Sequence, residues 1–162
     1  MASDEERVGK VRSLVEKHGL DAEIIWHRDD PVISLEDAMR VHGLSPGNVL
    51  KCLLMKGRKG KVIAVMAPGD VRIDTKRLGD QAGVKKLSFV SGDEMRDRFS
   101  VEPGGLDPLT LPELADMVFV ERSLLDRDWV MGSAGSRYCG LRVKSGELVE
   151  ALGVPVVDVA KA

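Results

Sequence analysis

The stretch NVLKCLLMKGRKGKVIAVMAPGD, residues 48–70, decides the fold. Two apolar runs, 49–55 and 61–67, flank the glycine-containing KGRKG, an arrangement that predicts a β-hairpin. Alternate side chains of a strand point to opposite faces, so Lys51 shares a face with Val49, Leu53 and Met55. An ammonium in that setting costs free energy unless something anionic or carbonyl-like meets it. The alternative is a strand-end lysine whose stem lies along apolar surface while its head reaches water.

Outward from the hairpin, helices and strands interleave irregularly. Val8, Val11, Leu14 and Val15 recur at helical spacing and predict a helix over 5–18. AEIIWHR (22–28) reads as a strand, and SLED (34–37) as a capping box that opens a helix ending by Gly43. Beyond the turn APGD (67–70), Asp74 caps a helix that ends at Gly83. KLSFV (86–90) is a short strand and SGDE (91–94) a second capping box. Three prolines and a Gly-Gly pair bar 101–112 from being a helix or a central strand. Strands are expected at 117–121, 128–131 and 138–143, with a Gly/Ser turn, GSAGS, at 132–136. Ser145 is expected to cap a last helix before a strand over 154–159. An antiparallel hairpin among irregularly spaced helices implies an α+β fold with a mixed sheet. A single domain over 1–162 follows from the length and the lack of any linker.

Composition narrows the function classes. The chain is 43% hydrophobic and 31% charged, and no apolar run approaches the roughly 20 residues of a membrane helix. MASDEERVGK lacks the apolar region of a signal peptide, which suggests a cytoplasmic protein and no membrane partner. Cys52 and Cys139 show no CxxC spacing. Residues 51–86 hold ten lysines and arginines against three aspartates, +7, and leave −9 on the rest. A basic sector on an acidic protein suits one polyanionic partner, although KGRKGK alone reads equally as a solvated hairpin tip. His18, His27 and His42 are not paired at metal-ligand spacing, and no phosphate-binding loop, dinucleotide fingerprint or nucleophile elbow occurs. No metal and no cofactor is therefore expected. Cys139 has no base beside it in the sequence, and His27, next to Trp26, reads as a structural histidine.

Seven segments in order carry a resemblance. They are DDPVISLEDA (29–38), NVLKCLLMKG (48–57), VIAVMAPGDVRIDTKRL (62–78), GVKKLSFVSGDEM (83–95), VEPGGLDPL (101–109), VFVERSLL (118–125) and VMGSAGSRYCGLRV (130–143). Together they resemble the YbaK/ProX family of aminoacyl-tRNA editing domains, the deacylases associated with prolyl-tRNA synthetase. The resemblance implies a mixed, barrel-like sheet surrounded by helices. It also implies hydrolysis of the ester joining a wrong, small amino acid (Ala, Ser, Thr or Cys) to tRNA. Its lysine falls on Lys51, facing the substrate. Its glycine loop puts Gly104 and Gly105 at the scissile carbonyl, where backbone N–H groups can hold an oxyanion. Ser34, His27, Glu121, Gly132 and Ser133 fall on the substrate side. Lys56, Arg58, Lys59 and Lys61 would meet tRNA phosphates, and an aminoacyl-tRNA synthetase is a further partner. Two departures bear on the amino acid: Glu121 stands where many members have Asp, and Arg137, Tyr138 or Cys139 where many have His. The alternative is a non-catalytic tRNA- or nucleotide-binding module on the same fold.

Overall fold

The computed structural model describes residues 2–162. Among them run α1 (Asp4–His18), β1 (Ala22–Trp26), α2 (Leu35–His42), β2 (Leu50–Lys56), β3 (Val62–Pro68), α3 (Thr75–Ala82) and β4 (Ser88–Phe89). They are followed by α4 (Gly92–Phe99), β5 (Met117–Glu121), β6 (Trp129–Ser136), β7 (Cys139–Lys144), α5 (Ser145–Leu152) and β8 (Val156–Val157). The strands make a three-stranded sheet, β1–β7–β6, and a five-stranded one, β4–β2–β3–β5–β8. The smaller sheet is antiparallel. In the larger, β2 pairs antiparallel with β3 and β4, while β3–β5 and β5–β8 are parallel, giving the mixed sheet that the sequence implies. Neither sheet closes into a barrel, and an isolated parallel bridge between Val49 and Met131 joins them.

The hairpin forms the centre. β3 is buried at every position because both of its faces are covered. Ala64 and Met66 pack with Val8, Val11 and Leu141 on one side, and Ile63, Val65 and Ala67 with Leu78 and Phe119 on the other. That double burial explains a continuous apolar run in place of alternation. Helix ends follow the cap residues. Ser34 and Asp37 form a reciprocal capping box, and the Asp74 carboxylate accepts from the N–H groups of Lys76 and Arg77, each at 3.1 Å. At α4 the box is half made: Ser91 Oγ accepts from the Glu94 N–H at 3.1 Å, but the Glu94 side chain pairs with Lys56.

Three local expectations are corrected. GSAGS is not a turn. It continues β6 through Ser136, with a register shift between Ser133 and Ser136 and Gly135 at φ +103°. The chain reverses instead at Arg137–Tyr138, where the Tyr138 N–H donates to Ser136 Oγ at 3.0 Å. Small residues serve there to bring α1 close, since a Cβ on Gly135 would lie 3.4 Å from the Arg7 backbone. Ser145 is the first residue of α5 and Lys144 the cap, and the buried Ser145 Oγ has no hydrogen-bond partner among the described residues. The strands foreseen at 86–90 and 154–159 shrink to Ser88–Phe89 and Val156–Val157.

Ile63→Ala, at a position with no exposed surface, is expected to cost about 2–5 kcal/mol. Ile25→Ala, at a strand position 36% exposed, should cost far less. Urea unfolding monitored by circular dichroism checks the contrast, with m unchanged in both.

Candidate active site

β2 pairs with β3 along its whole length but with β4 only at Met55 and Lys56. The edge of β2 from Leu50 to Leu53 is therefore not covered by β4. Backbone groups alternate in direction along an antiparallel strand. The Leu54 carbonyl accepts from the Val90 N–H at 3.0 Å, on the side away from β3. By the same alternation Leu50 and Cys52 direct their N–H and C=O groups to that side. A cavity of about 350 Å³ occupies the space. Its walls come from β2, the 32–38 segment, Pro103–Gly104, Met95 and the 131–140 hairpin.

Of the residues implied by the sequence, Lys51, Gly104, Ser34, His27, Gly132 and Ser133 line this cavity. Lys51 is half-buried and its ammonium donates to the Val71 carbonyl. Burial lowers its pKa, Asp70 opposes that shift and Arg72 adds to it. An ammonium has three N–H donors. Val71 takes one, and no other protein acceptor among the described residues takes the remaining two. Gly104 lies at φ +90°, and a Cβ there would meet the Val32 carbonyl oxygen at 2.5 Å. The Val32 N–H in turn donates to the Arg137 carbonyl at 2.7 Å, so three loops close the cavity around one glycine. Ser34 caps α2, and Ser133 Oγ donates to the Ser136 carbonyl at 3.2 Å and accepts from the Gly135 N–H. Both hydroxyls thus also shape the backbone that lines the site.

Other implied residues lie elsewhere. Gly105 borders a neighbouring cavity with Arg7, Arg137 and Tyr138, and its N–H is occupied by the Glu102 carbonyl at 2.8 Å. Glu121 is only 3% exposed and accepts from the Ser123 N–H at 2.6 Å, capping a short 3₁₀ turn away from the cavity. Lys56 is ion-paired with Glu94. Arg58, Lys59 and Lys61 are exposed on the hairpin tip. Of the three candidates for the altered histidine position, Cys139 lines the cavity, while Arg137 and Tyr138 face the neighbouring one.

Several lining residues were not foreseen, His42 among them. His42, at the end of α2, meets His27 edge-to-face with ring centroids 4.7 Å apart. His27 Nδ1 lies 2.7 Å from the Asp30 carbonyl, which can only accept, so Nδ1 carries the proton. His42 makes no hydrogen bond among the described residues; burial first, then the charge of His27, lowers its pKa. The only sequence signal was a histidine in the last helical turn, and nothing local showed that it meets His27. Burial disfavours the thiolate form of both cysteines. Burial pushes Cys139 up to about 11, and burial with the nearby Asp107 charge pushes Cys52 higher still.

Comparison with known proteins bears on this geometry. Residues 29–151 match the aminoacyl-tRNA editing domain family. The chain belongs to that family. As a class its activity is that of an aminoacyl-tRNA hydrolase. It is 28% identical over 132 residues to the uncharacterized protein YwhH of Bacillus subtilis (strain 168), covering 77% of this chain and 83% of that one. It is 30% identical over 105 residues to the prolyl-tRNA editing protein ProX of Acetoanaerobium sticklandii, covering 62% of this chain and 64% of the relative. The crystal structure of the hypothetical protein APE2540 superposes with a TM-score of 0.83 at 29% identity, over 94% of this chain and 99% of that one.

Two measurements test the site. Gly104→Ala should destabilise by about 1–3 kcal/mol, from positive φ and the Val32 contact together. Gly140→Ala should change Tm little, because the one close contact of its methyl, at 2.5 Å, is with the terminal methyl of the unbranched Met131 side chain, while His42 Nε2 and the Gly132 carbonyl lie at 3.4 and 3.5 Å; it narrows the cavity beside His42. Separately, the lowered pKa of His42 means that its contribution to stability is present above its ordinary value of 6.5 and lost as pH falls from there through the folded pKa. Tm should therefore decline as pH falls below 6.5, and His42→Gln should flatten the decline.

Proposed function

We propose that the protein is a cytoplasmic, trans-acting deacylase that hydrolyses tRNA mischarged with a small amino acid, with Ala, Ser, Thr and Cys as the candidates. The observation that carries this reading is the half-buried Lys51, with two N–H donors unused by the protein, in the wall of a largely apolar cavity. At about 350 Å³ the cavity lies near the small end of the 300–1,000 Å³ usual for ligand sites. Once the terminal ribose is seated, the remaining room suits a short side chain.

The chemistry follows from donors in place of a nucleophilic side chain. An ester is already activated, so water can attack once the carbonyl is polarised. The Lys51 ammonium supplies positive charge, in a site where partial burial strengthens it. Developing charge on the carbonyl oxygen is met by backbone N–H groups. Gly104 has an N–H with no partner among the described residues, and Cys52 presents its own at the free strand edge. Gly105 drops out of this role because its N–H is engaged. A backbone donor of this kind is worth about 3–4 kcal/mol in the transition state. The substrate's own ribose hydroxyl or phosphate assists the proton transfer. The apolar wall of Leu35, Ala38 and Met131 receives the amino-acid side chain, and the His27–His42 pair gives that wall one polar end. Association with an aminoacyl-tRNA synthetase would deliver the mischarged tRNA.

Hydrolysis of Ala-, Ser-, Thr- and Cys-charged tRNA tests the reading. Wild-type protein should release at least one of these amino acids, and Lys51→Ala should lower kcat/KM by about a hundredfold or more, the scale of one transition-state donor. Lys51→Met keeps the stem, removes the charge and should fall equally. A folded Lys51→Ala variant with wild-type turnover would make the lysine structural. Binding of tRNA without turnover on any of the four would favour a non-catalytic binding module.

A further inference from the structure

We propose that Phe89 and the cations around it form a stacking platform for the unpaired nucleotides that precede the aminoacylated end of the substrate. This inference rests on the deacylase reading above. Phe89 is 57% exposed, the most exposed of the large apolar side chains among the described residues, and it sits on the edge strand β4. Its register partner is Met55. Residues opposite each other across an antiparallel pair share a face, and the diagonal neighbour two positions away lies within reach of an aromatic ring. Of the two such neighbours, Gly57 has no side chain and Leu53 lines the cavity. Phe89 therefore stands just outside the cavity wall, on the side toward the hairpin tip.

The charge around it is mostly positive: the carboxylates nearby are Glu94, paired with Lys56, and Asp116, which accepts from the Val62 N–H at 2.8 Å. Arg58, Lys59 and Lys61 project from the tip, and Lys85 and Lys86 from the turn before β4, all exposed. The Arg58 N–H donates to the Lys85 carbonyl at 3.0 Å, which ties tip and turn into one surface. Among the described residues none of these five cations is in an ion pair, whereas Lys56 beside them is neutralised by Glu94. No Asp or Glu occurs in 51–69 or in 81–92. A polyanion with exposed π-faces is the occupant that matches unpaired cations flanking one bare aromatic ring. A continuous duplex is disfavoured, since a ring can stack only on a base freed from its helix. The spans agree. At about 3.3 Å per residue, the position opposite Phe89 is about 13 Å along β2 from Lys51, and the tip begins at about 20 Å. A single-stranded segment of a few nucleotides covers both.

The test separates this surface from the deacylase reading. A fluorescein-labelled RNA hairpin with a short single-stranded 3′ tail is titrated against wild type, Phe89→Ala and Phe89→Trp by anisotropy, with a blunt hairpin as control. Phe89→Ala should weaken the tailed hairpin by about tenfold or more, the loss of one base–aromatic stack, and Phe89→Trp should restore it. The blunt hairpin should bind all three alike, and Tm should not move. On charged tRNA, Phe89→Ala should raise KM with kcat unchanged, and hydrolysis of an aminoacyl ester of adenosine alone should be unaffected. Equal binding of the tailed hairpin by wild type and Phe89→Ala overturns the platform, even where wild type deacylates tRNA. A wild type that binds the tail through Phe89 but hydrolyses no charged tRNA keeps the platform and removes the deacylase.

Discussion

The incomplete pairing of β2 is the constraint on which the rest of the structure depends. The strand is locked to β3 over seven residue pairs, and β4 meets it at only two. Where a neighbouring strand would lie, the sheet is left open and the cavity takes its place. A bare strand edge invites pairing with any extended chain. Here the gap is enclosed by two pieces that are not strands, the Val32–Ala38 segment and the Pro103–Gly104 loop, and by the β6–β7 hairpin, whose pairing goes to its own sheet and is bulged near Ser133. Support for the edge comes from behind, from the fully buried β3, so the opening does not require a soft core.

This arrangement explains why a lysine is stable inside an apolar strand. Lys51 is paired to Ala67 on β3, which fixes its backbone, while its stem runs along the cavity wall. Its charge is opposed by burial and eased by the Val71 carbonyl and Asp70. With Arg72 also opposing the charge, these partly compensating effects leave a cation that is placed but not saturated. The acid Asp107 shows the opposite solution. It is 4% exposed and its carboxylate accepts from two backbone N–H groups and the Thr110 hydroxyl, so it holds the 107–111 turn and does not line the cavity.

Much of this was legible in local sequence. The KGRKG hairpin, the caps at Ser34 and Asp74 and the non-helical 101–112 segment rest on short-range rules, and short-range rules held. The misreadings share a cause. GSAGS has turn composition, but tertiary pairing with β7 and the approach of α1 draw it into a strand. Gly104 and Gly105 are indistinguishable in sequence, yet one N–H is free and its neighbour is bound to Glu102. Glu121 and Lys56 have local partners, Ser123 and Glu94, that only the folded chain identifies. His42 could not be read at all, because its meaning comes from His27 across the loop that joins β1 to α2.

The order of the cavity walls along the chain has a consequence for synthesis. β2 and its open edge leave the ribosome with β3, but the wall at Met131–Gly140 is encoded about 80 residues later, which at about 5–20 residues per second is a delay of about 4–16 s. During that interval the hairpin can form while the edge beside Lys51 has no cover from β6 and β7. The nascent chain passes through a stage with a paired strand, a basic tip and an exposed backbone ladder, before it has any site. How long that edge stays uncovered is set by how quickly the last fifth of the chain is translated, so the clock is translational.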